Sequence, residues 1–103
     1  MTFVATINTP GYLPEGEPSE HDTARDAWEY LADDRKRHEE DFADDDFTGY
    51  SATANVMESI ANGALGPEDA GLDFDRTGTI TGPTPGYDGD HDLGIAYTVS
   101  VAE

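Results

Sequence analysis

The chain has 103 residues and no cysteine, and it sets 23 acidic side chains against five basic ones for a net charge of -18. That balance excludes direct binding to nucleic acid or anionic membranes, and the missing thiols exclude disulfides and thiolate metal centres. The length fits a single small domain over residues 1–103, and no apolar run or basic-then-apolar leader is present, so a cytoplasmic location is expected.

Residues 2–8 (TFVATIN) alternate as a strand does, with Phe3, Ala5 and Ile7 on one face. Thr9-Pro10-Gly11-Tyr12 ends it in a type II turn, because proline presets φ and glycine accepts a positive φ. Residues 13–21, rich in Pro, Gly and Glu, predict a surface loop. Asp22 or Thr23 opens a helix that runs to about Glu40, with Thr23 and Asp26 forming a shortened capping box. Ala24, Ala27, Trp28 and Leu31 form its buried face, with Trp28 in the core. Arg35, Lys36 and Arg37 suit the helix dipole at its far end, where Asp33 can pair with Arg37. Residues 41–50 (DFADDDFTGY) predict an irregular acidic connection, with Phe42 and Phe47 pinning it to the core.

A second helix is predicted over residues 51–62, with Ala52, Val56, Met57 and Ile60 inward and Gly63 ending it in a left-handed conformation. Residues 64–73 read as a loop, and 74–81 as a weaker strand that Gly78 interrupts. The last strand carries the strongest signal in the chain. Leu93, Ile95, Tyr97, Val99 and Val101 alternate with small residues, so it belongs inside the sheet. The predicted fold is α+β with order β-α-α-β-β. Two helices cover one face of a three-stranded mixed or antiparallel sheet, in spatial order 1-3-2, with the last strand opposite in direction to the other two. An arrangement with the first two strands adjacent and parallel is the alternative.

The T-I…T-P-G-Y pattern of residues 6–12 returns at 79–87, so both turns fall at one sheet edge if their strands run the same way. The blocks TFVATINTPGYLP, DTARDAWEYLADDR and TPGYDGDHDLGIAYTVS resemble small acidic proteins encoded by actinobacterial phages. That resemblance implies an intracellular phase of infection and a host target. It carries no catalytic residues.

Asp88, Asp90 and Asp92 begin like a calcium loop, but Gly94 falls one place late and Val99 stands where a bidentate glutamate is needed. They offer a weak divalent-ion site, which together with the turn edge would make a small-ligand or metal-binding module. The plainer reading is an acidic hairpin loop whose carboxylates bond nearby backbone N–H groups. No nucleophile elbow, phosphate loop or zinc motif is present, so no enzyme is expected, and His21 and His38 read as exposed.

Asp22, Asp26, Glu29 and Asp33 lie within about 60° of one another on a helical wheel, opposite the apolar stripe. Their mean spacing along the axis is about 5.5 Å, sparser than the roughly 3.4 Å between phosphates of one DNA strand. Glu39, Glu40, Asp41 and Asp44, Asp45 and Asp46 extend the row. A solvent face must be polar, which accounts for charge but not for its sign. The expectation is therefore a non-catalytic binding protein whose partner is a basic, nucleic-acid-binding host protein, engaged in the sharpest form by DNA mimicry. Asp22, Asp26, Glu29, Asp33, Glu40, Asp44, Asp45, Asp46, Tyr12 and Tyr87 are the candidate contacts.

Overall fold

A computed structural model describes residues 2–8, 18–41, 51–83 and 94–102. Strand β1 (Thr2–Asn8) is followed by β2 (Ser19–His21), helix α1 (Ala24–Asp41), helix α2 (Ala52–Asn62), a single 3-10 turn at Glu68–Ala70, β3 (Gly78–Gly82) and β4 (Ile95–Ala102). The sheet is four-stranded, in order β2-β1-β4-β3, and every neighbouring pair is antiparallel.

The α+β class with two helices is as expected, and the sheet differs from the expectation in detail. It has four strands rather than three. The extra one lies in the stretch read as loop, where Ser19, Glu20 and His21 pair with Ala5, Val4 and Phe3 along the outer edge of β1. Three residues without hydrophobic period carry no strand signal of their own; the unpaired edge of β1 supplies it. His21, expected to be exposed, is half-buried, with its Nε2 2.8 Å from Ser19 Oγ and its ring 5.1 Å from that of Tyr30 on α1. His38 is likewise half-buried. The weaker strand begins at Gly78 rather than 74, because residues 73–77 close a tight turn.

The last strand lies inside the sheet, with Tyr97 opposite Ile7 on one side and Ile80 on the other. Since β1 and β3 both run against β4, Asn8 and Gly82 finish at the edge where β4 starts, opposite Ala96 and Ile95. The two T-P-G-Y turns themselves lie outside the described residues, as does the acidic connection at 42–50.

Thr23 caps α1 by accepting the Asp26 N–H at 3.0 Å, as the sequence indicates. Ser51 caps α2 through the Ala54 N–H at 3.4 Å, and Gly63, at φ 84, closes it. Ala27, Trp28 and Leu31 of α1 meet Met57 and Ile60 of α2 and Ala5, Ile95, Tyr97 and Val99 of the sheet in one core. The buried face of α2 differs from expectation. Thr53 and Ala54 turn inward while Ala52 is exposed and Val56 half-buried. The reason lies at β3: a Cβ on Gly82 would come within 2.1 Å of Thr53 Oγ1, so the helix start rests directly on that glycine.

Candidate binding surface

The inward face of α1 fixes what its outward face can present. Trp28 is fully buried and its indole Nε1–H donates to the Arg76 carbonyl at 2.8 Å. Four and eight residues beyond Leu31 on the same stripe come Arg35 and Glu39, and both are buried. This corrects the reading of Arg35 as a surface partner of the helix dipole and of Glu39 as part of the acidic row.

Arg35 Nε donates to Glu39 Oε1 at 2.6 Å, and its Nη1 donates to the Tyr97 hydroxyl at 3.2 Å. The guanidinium carbon stands 5.8 Å from the Tyr97 ring centroid. Glu39 Oε2 accepts the Ser51 N–H at 2.9 Å, so one carboxylate joins the end of α1 to the cap of α2. Burial by itself would raise the Glu39 pKa. The hydrogen bonds from Ser51 and Arg35 outweigh it and hold the carboxyl below the ordinary glutamate range. For Arg35 the same contest ends with its charge reinforced, because bonds to Tyr97 and Glu39 outweigh desolvation. Burial pushes the Tyr97 hydroxyl up and keeps it neutral. Among the described residues no buried side-chain polar atom lacks a partner, so this cluster is a closed structural joint.

With that face locked, Asp22, Asp26, Glu29, Asp33 and Glu40 are all exposed. Glu29 and Asp33 line a shallow hollow of about 130 Å³ between the helices, together with Glu58 and Asn62 of α2 and Arg25. The row is not purely anionic. Arg25 stands beside Glu29, Lys36 pairs with Glu58, and Arg37 lies 3.8 Å from Asp34, which takes the place expected for Asp33.

Asp44, Asp45, Asp46, Tyr12 and Tyr87 lie outside the described residues, so of the expected surface the structure describes only Asp22 and the four acids of α1. The metal candidates Asp88, Asp90 and Asp92 also lie outside. Among the described residues no group of three or more His, Asp or Glu side chains is placed to hold a metal ion, and no helix is long and apolar enough to cross a membrane.

The residues that sequence reasoning missed had a signal. Continuing the stripe Ala24, Trp28, Leu31 by helical spacing lands on Arg35 and Glu39, and an i, i+4 Arg–Glu pair there satisfies both charges inside. Comparison with protein families, curated proteins and solved structures finds no match.

Proposed function

We propose that the chain is a non-catalytic binding protein that engages a basic, nucleic-acid-binding host protein through the acidic face of α1, in its sharpest form as a DNA mimic. The observation that supports this reading most is the two-sidedness of α1. Its four expected contact acids, Asp26, Glu29, Asp33 and Glu40, all face solvent, with Asp22 exposed just before the helix, while its other face is locked by Trp28 and by the Arg35–Glu39 pair. A charge row on such a helix keeps its spacing when a partner approaches, so little ordering entropy is lost on binding. Glu58, from α2, joins Glu29 and Asp33 at the hollow between the helices, where its ion pair with Lys36 and the presence of Arg25 offset part of the negative charge. The net charge of -18 adds long-range steering toward cations. The resemblance of the TPGY blocks to actinobacterial phage proteins makes the host cytoplasm the place of action.

The test is retention of proteins from actinobacterial lysate on the immobilised chain, at low and then high salt. A basic protein held at low salt, released by salt and displaced by duplex DNA is expected. Replacing Asp26, Glu29 and Asp33 by their amides should weaken retention and flatten its dependence on salt. A chain that holds no basic protein at low salt does not have this function.

A further inference from the structure

Long-range charge draws a partner in but does not fix its position. We propose that the turn at residues 73–77 supplies that fixed contact: Phe74 is a knob that seats in an apolar pocket, rimmed by lysine or arginine, on the same basic partner.

Phe74 is 90% exposed, whereas Trp28 and Tyr97 are buried and Tyr30, the next most exposed large apolar side chain among the described residues, is 40% exposed. A single exposed apolar side chain is ordinary on a protein surface. This one stands on a turn closed by several hydrogen bonds. The Asp73 N–H donates to the Thr77 carbonyl at 3.0 Å and the Arg76 N–H to the Asp73 carbonyl at 2.8 Å. Asp75 Oδ1 accepts both the Thr77 N–H at 3.0 Å and the Thr77 hydroxyl at 2.6 Å. The Trp28 indole N–H then ties the Arg76 carbonyl to the core side of α1.

Arg76 sits at φ 69, a left-handed conformation that costs an arginine what it would not cost a glycine. Strain kept in a turn that also displays a bare aromatic ring points to use of that turn. With the backbone beneath it already fixed by hydrogen bonds, docking has only the side-chain torsions of Phe74 left to order, and aromatic side chains seated in pockets dominate interface energies. The rim chemistry follows from the neighbours. Phe74 is flanked in the chain by the exposed Asp73 and the half-buried Asp75, followed by the half-buried Arg76. A pocket with an acidic rim would repel these carboxylates, and a neutral one would desolvate them without compensation.

The inference rests on the binding reading above for the partner's positive charge, and it makes a separate prediction. The probe is the basic protein retained from lysate at low salt, purified. Phe74→Ala should lower its affinity on the order of tenfold or more at every salt concentration, while leaving the slope of affinity against salt unchanged. The triple amide variant of α1 should do the reverse and flatten the slope. Benzoylphenylalanine in place of Phe74 should crosslink to the partner on illumination, and the same group in place of exposed Thr79 should not. Thermal unfolding of Phe74→Ala should match that of the native chain, since the ring is 90% exposed. Native affinity in Phe74→Ala overturns this inference and leaves the charge-based reading standing. Loss of all retention by the native chain removes both. Phe74-dependent growth of mass with protein concentration, with no crosslink to the basic protein, makes a second copy the occupant and overturns the cationic pocket.

Discussion

The two halves of α1 bury the same face by different chemistry. In the first half Ala24, Ala27, Trp28 and Leu31 enter the core as apolar surface, anchored by one indole hydrogen bond. In the second half the stripe continues as Arg35 and Glu39, which reach Tyr97 on β4 and Ser51 at the start of α2. Apolar burial is tolerant of direction and favours any close packing. A buried ion pair adds little net stability over an apolar pair of the same size, but it tolerates only the geometry in which each charge is satisfied. The contrast assigns the first half to holding the helix down and the second to fixing how its end meets α2 and the sheet.

Truncation separates these roles. Trp28→Ala and Arg35→Ala should each lose about 3–5 kcal/mol in urea unfolding, the first by opening a cavity and the second by leaving Glu39 buried and unpaired. Only the second should be rescued by altering its partner. Arg35→Met with Glu39→Gln keeps an acceptor for the Ser51 N–H and removes both charges, so most of the loss should return. If the double variant is no more stable than Arg35→Ala, the ion pair is not what holds the second half.

Acid titration gives a smaller and more selective effect. The Glu39 carboxyl titrates below its unfolded value, so its contribution is complete above the ordinary glutamate range and disappears as pH falls through the lower folded value. Unfolding followed against pH should therefore show a shallower acid limb in Glu39→Gln than in the native chain, whereas Trp28→Phe should keep the native limb. The smallest effect belongs to the outward face. Asp33→Asn relieves one like-charge i, i+4 contact with Glu29 and should stabilise the fold by about 0.2–0.5 kcal/mol at low salt, with the gain fading at high salt.

Elements whose residues carry their own period were legible. The alternation of β1 and β4 and the Gly63 end of α2 stand where local chemistry puts them, and α1 starts at its Thr23 cap. The three expected strands also keep their relative order, since the most apolar one must lie inside. What was not legible depended on distant partners. Nothing in Ser-Glu-His marks a strand until the edge of β1 is beside it. The start of β3 was displaced because Asp75 and Thr77 close a side-chain turn, and Gly78 opens the strand rather than breaking it. On α2, small residues at positions 52–54 set no face by themselves, and contact with Gly82 chose Thr53.

For the candidate surface, the acids of α1 were readable because an apolar stripe opposite them tells which way they point. Arg35 and Glu39 were misread because a charged residue was equated with solvent, although helical spacing placed both inside. Phe74 was taken as a strand residue, since Leu72-Asp73-Phe74-Asp75 alternates apolar with polar as a strand does and gives no sign that the backbone turns there.

The bond from the Ser51 N–H to Glu39 has a consequence for how this protein can change over evolution. It clamps both flanks of residues 42–50 without using any atom of that stretch. The closure entropy of a flexible insert grows only logarithmically, by roughly 0.6 kcal/mol for each doubling of its length. Lengthening the chain between the helices should therefore cost little stability, because the bond that joins their ends does not pass through it.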